Sequence, residues 1–299
     1  MARVVQAALT WAEMIKLSHS VFALPFAVLA TFLAARPGLP GWGQLGLIVL
    51  CMVAARSAAM TFNRIVDRRF DADNPRTAGR PLPAGRISLT SAWAFFALAV
   101  LLFVLGCAGF WWFFANPWPL RLSGPVVVLL CFYSYTKRFT ALSHIVLGLA
   151  IACSPVAAWI AIEPRTLGAP AWLLLGSVML WIAGFDLIYA CQDVDFDRRA
   201  GLRSVPARFG IATALRLARV FHLLTVAGLT GVGLTAGLHG YYYAGVACVA
   251  VLLAYENAIV RPDDLSRVNL AFFTVNGIVG VLLGTLGVVD VLIYRGAAP

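Results

Sequence analysis

Apolar runs of about 20 residues alternate with short polar stretches along the whole chain, at 17–36, 43–62, 90–111, 118–136, 141–162, 170–192, 213–236, 240–260 and 269–294. At a rise of about 1.5 Å per residue, each run is long enough to cross a hydrocarbon core roughly 30 Å thick as a helix. The pattern therefore predicts an all-α polytopic membrane protein of about nine transmembrane helices in one bundle around a central cavity. Gly and Pro interrupt several runs, so a count of eight stays open. The first run keeps Ser18, His19 and Ser20, which a uniformly apolar signal peptide would lack. No soluble appendage or low-complexity linker is visible, and residues 1–299 read as one membrane domain. A hydrophobic fraction of 61% and a mean hydropathy of +0.86 exclude an ordinary soluble domain.

Charge sets the orientation. Arg3 and Lys16 precede the first run; Arg64, Arg68, Arg69, Arg76, Arg80 and Arg86 follow the second. Lys137 and Arg138 follow the fourth, Arg198, Arg199, Arg203, Arg208, Arg216 and Arg219 the sixth, and Arg261 and Arg267 the eighth. These 18 of 23 basic residues fall on one side, which is expected to be cytoplasmic, with the loops near Arg36, Arg121 and Arg165 outside. The net charge of +10 is mostly this topology signal, although the two richest loops also suit an anionic ligand. The six cysteines stand singly in apolar runs and read as small buried hydrophobes, with neither a disulfide framework nor a zinc spacing.

The acids do not follow this scatter. Seven of 13 lie in two segments: Asp67, Asp71 and Asp73, then Asp186, Asp193, Asp195 and Asp197. Asn63-x3-Asp67-x3-Asp71 and Tyr189-x3-Asp193-x3-Asp197 share a spacing that drifts only about 40° per step on a helix, so each set faces one way. The two segments align at an offset of 126 residues, and each runs on through arginines to a Pro and a Gly: a weak internal repeat, or a chance likeness of two basic loops. Acids and arginines at a helix end can also be plain i,i+4 pairs in the headgroup region. Two acidic faces at one end of a bundle instead suggest oxygen ligands for Mg2+, with Arg80 and Lys137 among the cations for an anionic ligand.

Three polar residues lie deeper. Arg56 falls two turns before Asn63, and Asp186 two turns before Asp193, at mirrored positions with Tyr189 between the acids. An intramembrane charge should face a partner or a cavity. The pair could be a structural ion pair, or the polar end of a substrate pocket in which Asp186 acts on a phenol or a ring proton. His19, His144, His222 and His239 show no ligand spacing and read as packing or interface residues. Tyr241, Tyr242 and Tyr243, with Trp111 and Trp112, sit where an aromatic belt belongs. Asn269 and Asn276 share a face that suits interhelical bonding, and Glu256 and Asn257 could line the cavity.

Four stretches together resemble the UbiA superfamily of intramembrane prenyltransferases: Asn63-Arg-Ile-Val-Asp67-Arg-Arg-Phe-Asp71; Arg76-Thr77-x2-Arg80-Pro81-Leu82-x2-Gly85; Tyr133-x3-Lys137-Arg138; and Asp186-x2-Tyr189-x3-Asp193-x3-Asp197. The resemblance implies that Asn63, Asp67, Asp71, Asp193 and Asp197 bind Mg2+-diphosphate, with Arg80, Lys137, Arg138, Tyr189 and Arg203 on the substrate side. It implies transfer of a polyprenyl group from polyprenyl diphosphate to an aromatic ring; Asp186 is the candidate for orienting the hydroxyl or taking the proton, and Arg56 could face the carboxylate of an aromatic acid. Asp197-Arg-Arg-Ala-Gly201-Leu-Arg203-Ser204 is similar to the quinone-pathway branch, and Lys16 to Phe26 resembles bacterial 4-hydroxybenzoate polyprenyltransferases. Such enzymes sit in the bacterial cytoplasmic membrane with the site facing the cytoplasm. Two departures are Arg203, usually Lys, and Arg64, often Asp, which leaves the metal number open. 4-Hydroxybenzoate is the expected acceptor, and 1,4-dihydroxy-6-naphthoate of the futalosine menaquinone route the alternative. A cation-coupled transporter and a non-catalytic scaffold are rivals of other classes; a transporter would need its polar site near the midplane rather than at helix ends.

Overall fold

The computed structural model describes residues 2–16 and 22–294, so Ser18, His19 and Ser20 lie outside the described residues. Among them every regular element is helical, apart from an isolated bridge between Arg261 and Asp264. In chain order the helices are α1 (Ala2–Met14), α2 (Leu24–Ala34), α3 (Trp42–Val66), α4 (Arg68–Asp73), α5 (Leu89–Phe114), α6 (Trp118–Thr136), α7 (Ser143–Ile162), α8 (Ala169–Ala190), α9 (Val194–Arg199), α10 (Val205–Phe209), α11 (Ile211–Thr235), α12 (Gly240–Ile259) and α13 (Asn276–Tyr294). Short 3₁₀ turns fill Pro164–Thr166 and Cys191–Asp193, and a π-helical turn, Leu270–Val275, opens the last span.

Seven spans among the described residues are long and apolar enough to cross a membrane: α3, α5, α7, Ala169–Arg199, α11, α12 and Leu270–Tyr294. The other two expected spans are α2, an apolar helix of 11 residues, and α6, a helix of 19 that carries Arg121 and Pro125. Exposed side chains of these helices are largely apolar, as with Leu101 at 53% and Leu223 at 71%, because the surrounding solvent is lipid. Trp111, Trp112 and Tyr241 are exposed as an aromatic belt requires. Tyr242 is the correction: it is fully buried, and its hydroxyl donates to the Leu229 carbonyl at 2.9 Å.

The chain divides into two compact units, 1–20 with 49–135, and 21–48 with 136–299. In the first, Ala54, Phe103 and Cys107 form a core with Val126 and Val127, so α3, α5 and α6 pack together. Gly106 permits this approach, since a Cβ there would press on Cys51 Sγ. Trp11 stacks on Phe95 at 4.5 Å, and Arg86 makes two 2.7 Å bonds to Glu13, which fastens α1 to the loop before α5. In the second unit α8 is flanked by α7 and α11, and α2 lies against α7 and α13. Small residues allow the close packing typical of membrane helices. A Cβ on Gly148 would meet the Met179 carbonyl oxygen of α8, and one on Gly284 would meet Pro25 of α2.

Polar groups inside this unit are joined between helices. Asp290, fully buried on α13, accepts from the His239 and Tyr242 backbone N–H groups at 2.9 and 3.1 Å and so caps the start of α12. Asn276 donates to Glu256 Oε1 at 2.9 Å and accepts from Trp181 Nε1 at 2.7 Å, while Asn269 is exposed. Glu256 is completely buried within this network.

The internal repeat is visible in the backbone. Shifted by 126 residues, 68–73 falls on 194–199, the bounds of α4 and α9. Each short helix follows a break at an acid: Asp67 at φ −89°, ψ 3° and Asp193 at φ −105°, ψ 8°. Both lie in the sparsely used bridge region where functional residues recur. Each break comes within a few residues of where its apolar run ends.

The α7–α8 packing predicts that Gly148→Val lowers stability by about 1–3 kcal/mol, the usual cost of overpacking. Thermal unfolding in detergent checks this, with Gly176→Val, which meets no atom within 4 Å at Cβ, expected to change little.

Candidate active site

In the first unit the end of α3 and the start of α4 gather the acids. Asn63 Nδ2 donates to Asp67 Oδ2 at 3.0 Å and approaches Ser134 Oγ at 3.5 Å. The backbone keeps the helical frame through the break, with Asp67 N bonded to Asn63 O and Asp71 N to Asp67 O at 2.9 and 2.8 Å. Asp67 and Asp71 are 2% and 6% exposed, so their carboxylates need compensation. Arg80 Nη1 donates to Asp71 Oδ1 at 2.6 Å, and Arg64 Nη1 lies 3.8 Å from Oδ2, an oxygen that accepts no hydrogen bond. Thr77 Oγ1 donates to the Asp71 carbonyl at 2.9 Å and holds the arginine-bearing loop beneath the acids. Arg80 is thus committed to a carboxylate as well as available to an anion, a pairing that helical spacing does not reveal.

Lys16 joins this group from the end of α1. Burial, then the neighbouring Arg64 and Arg80 guanidiniums, push its ammonium below the ordinary lysine value, against the pull of Glu13; Arg76 adds to the repulsion. A cluster of Lys16, Arg64, Arg76 and Arg80 around two acids is a site with cations in excess. Arg56 is half-buried on α3, its Nε bonded to no acceptor, with Tyr133 in electrostatic reach.

In the second unit the corresponding segment is differently braced. Ser204 Oγ donates to Asp197 Oδ2 at 2.6 Å and also accepts from Ala207 N at 3.4 Å, so one hydroxyl caps α10 and holds the acid. Arg203 is pinned by its backbone, which donates to the Lys137 carbonyl at 2.7 Å, and by Nη1, which donates to the Phe139 carbonyl at 2.9 Å. Asp193, Lys137 and His144 lie within electrostatic reach of Asp197. Arg198, Arg203 and Arg208 line a groove of about 390 Å³ with Gly201, Leu202 and Ala207. Arg138 is half-buried after α6. Tyr189 packs on Phe272 of the π-helical turn, ring centroids 4.2 Å apart.

Asp186 is bonded to His144, Nδ1 to Oδ2 at 2.7 Å. His144 is therefore no mere packing residue. A separation of 42 positions carries no spacing signal, so this contact was out of reach of a sequence pattern. Ser204 was within reach, because a Ser before Val-Pro at a helix start is an N-cap signature.

The donor set for a cation is all oxygen. In neither unit, among the described residues, do three or more His, Cys, Asp or Glu side chains gather as a metal group. Asn63, Asp67 and Asp71 in one unit and Asp193 and Asp197 in the other offer amide and carboxylate oxygens without thiolate or imidazole, which suits Mg2+. The unbonded Asp71 Oδ2 fits such a role.

The fold is that of a membrane-embedded prenyltransferase. The chain belongs to the UbiA prenyltransferase family, whose profile matches residues 23–278. It is 34% identical over 253 residues to the 4-hydroxybenzoate octaprenyltransferase of Aliivibrio fischeri strain MJ11, covering 85% of both chains. The protein of the same name from Chromohalobacter salexigens is 33% identical over 244 residues, 81% of this chain and 79% of that one. Among solved structures, the apo form of a UbiA homolog from Aeropyrum pernix K1 matches with TM-score 0.81 and 31% identity over 91% of this chain and 98% of that one. A UbiA homolog from Archaeoglobus fulgidus bound to GPP and Mg2+ shares the fold, with TM-score 0.73 at 20% identity, over 95% of this chain and 99% of that one. The protein is an integral membrane enzyme, which removes the transporter and scaffold alternatives.

Loss of the Ser204 hydroxyl leaves a buried carboxylate without its donor, a change worth about 1.5–3 kcal/mol. Ser204→Ala should lower prenyl-transfer kcat/KM by about tenfold or more, and Ser204→Thr should retain most of it, measured on detergent-solubilised enzyme.

Proposed function

We propose that this enzyme transfers a polyprenyl group from its diphosphate to the ring of 4-hydroxybenzoate, a step of respiratory quinone biosynthesis, at the cytoplasmic face of a bacterial membrane. The single observation that carries this reading is the 34% identity, over 85% of the chain, to a protein named 4-hydroxybenzoate octaprenyltransferase. The chemistry of the residues supports it.

Asn63, Asp67, Asp71, Asp193 and Asp197 are the residues that would hold Mg2+ with the diphosphate. Magnesium bound there supplies positive charge to the departing diphosphate. Arg80, Lys137, Arg138 and Arg203 add fixed cations for its oxygens, and Lys16 and Arg64 add to the positive charge around the first acids. Tyr189, three residues after Asp186 and four before Asp193, adds a hydroxyl donor. As the allylic C–O bond breaks, both its electrons leave with the diphosphate, and the apolar helices keep water from the electron-deficient prenyl carbon. The ring carbon beside the phenol oxygen forms the new C–C bond. Asp186 orients the phenol and takes the proton that the ring carbon loses. Arg56 receives the acceptor's carboxylate; its Nε–H is unbonded within the protein, and a guanidinium–carboxylate pair is strong where water is scarce.

Membranes containing the enzyme, Mg2+ and a radiolabelled polyprenyl diphosphate should yield a labelled lipid with 4-hydroxybenzoate. The product should disappear with EDTA and in Asp67→Ala. Product from 1,4-dihydroxy-6-naphthoate alone would move the acceptor to the menaquinone route, and product from neither would overturn the proposal.

The Arg56 role predicts that Arg56→Ala reduces the preference for 4-hydroxybenzoate over phenol by about tenfold or more. Equal preference ratios in wild type and variant would remove that role.

A further inference from the structure

The Asp186–His144 contact is more specific than a buried pair. His144 is the second residue of α7; its side chain is 6% exposed and that of Asp186 22%. The Val205 backbone N–H points at His144 Nε2 at 3.3 Å. A backbone amide can only donate, so Nε2 is the acceptor, and a neutral ring with an accepting Nε2 carries its proton on Nδ1. That proton lies on the 2.7 Å line to Asp186 Oδ2. Both hydrogen bonds therefore run in one direction, from the Val205 amide to the imidazole and from the imidazole to the carboxylate.

The segment that fixes the ring is also the one that holds the second acid. Val205 follows Ser204, whose hydroxyl donates to Asp197 Oδ2, and Arg203, whose backbone donates to Lys137. His144 is thus the joint at which α7, α8 and the stretch before α10 meet.

We propose that His144 is the positioning residue of the transfer reaction: it holds one oxygen of Asp186, presents the other to the aromatic acceptor, and registers Asp186 against the Ser204 segment that braces Asp197. The inference rests on the reading of Asp186 as the group that takes the ring proton. The C–H bond of the attacked ring carbon breaks, its electrons restore the aromatic ring, and the proton goes to Asp186 Oδ1. Oδ2 stays bonded to the imidazole N–H throughout, so the carboxylate does not turn away from the acceptor.

The test compares kcat, and KM for each substrate, in wild type, His144→Phe, His144→Gln, Asp186→Asn and the double variant His144→Phe/Asp186→Asn. His144→Phe should lower kcat by about tenfold or more with KM for polyprenyl diphosphate within about twofold of wild type, because misplacing a reacting group costs rate rather than binding of the other substrate. His144→Gln, whose amide supplies a donor and an acceptor, should recover most of kcat. His144→Phe should cost nothing further once Asp186 is Asn. Unchanged kcat in His144→Phe, or a full additional loss in the double variant, would overturn the proposal.

Should His144→Phe fail to fold, Val205→Pro carries the test. It removes the N–H that fixes the tautomer, at the first position of α10, and keeps a small apolar side chain there; Ser204 at φ −74°, ψ 154° already suits the residue before proline. Unchanged kcat there would equally overturn the inference. Full activity of Asp186→Asn would overturn the reading of Asp186 itself. An inactive Asp186→Asn beside a fully active His144→Phe would overturn the His144 inference alone.

Discussion

Placing a charged side chain in hydrocarbon costs roughly 2.5–3.5 kcal/mol even by the most lenient scales, and much of this structure follows from that penalty. The chain keeps few acids within its membrane spans, and the buried and half-buried ones are braced. Asp71 has Arg80, Asp186 has His144, Asp197 has Ser204, Glu256 has Asn276, and Asp290 has two backbone amides at the start of α12. The same penalty gives such groups their chemical value, because a carboxylate or guanidinium held away from water interacts strongly with whatever reaches it. An enzyme that handles a diphosphate and a reactive prenyl group needs both conditions, strong local charge and little water.

The acidic segments meet these conditions by standing where helix gives way to loop. Asp67 and Asp193 occupy the turning points between a long apolar helix and a short polar one. Each break sets a second acid on a six-residue helix while arginines follow in the adjoining loop. The two halves use different braces, an arginine for Asp71 and a serine hydroxyl for Asp197. That asymmetry fits a repeat whose copies share a backbone but have separate duties. In the first half the cations crowd together, and burial, followed by the repulsion of Arg64 and Arg80, lowers the proton affinity of Lys16. In the second half arginines bond backbone carbonyls instead, Arg203 that of Phe139 and Arg198 that of Ala207.

The legible part of the protein was local. A run of 20 apolar residues has few structural options in a bilayer, so the helices followed from hydropathy. The repeat was legible because an offset needs only the order of residues, and α4 and α9 obey it. Motif spacing singled out Asn63, Asp67, Asp71, Asp186, Asp193 and Asp197 because i,i+4 neighbours share a helix face wherever the helix packs. What spacing missed were partners distant in sequence: His144 for Asp186, Asp290 for the start of α12, Asn276 for Glu256 and Trp181. Tyr242 was misread for a related reason, since three consecutive tyrosines on a helix point three ways and one of them meets the core.

By itself the sequence determined that the chain is a helical membrane protein, where its polar ends lie, and which acids stand in helical register, because each depends only on residues within a few turns of one another. Only the tertiary structure decided which of those acids is braced by what, which way the His144 proton points, and which glycines let the helices of each unit touch. Those are contacts between residues tens to hundreds of positions apart, and the order of residues does not encode them until the helices have packed.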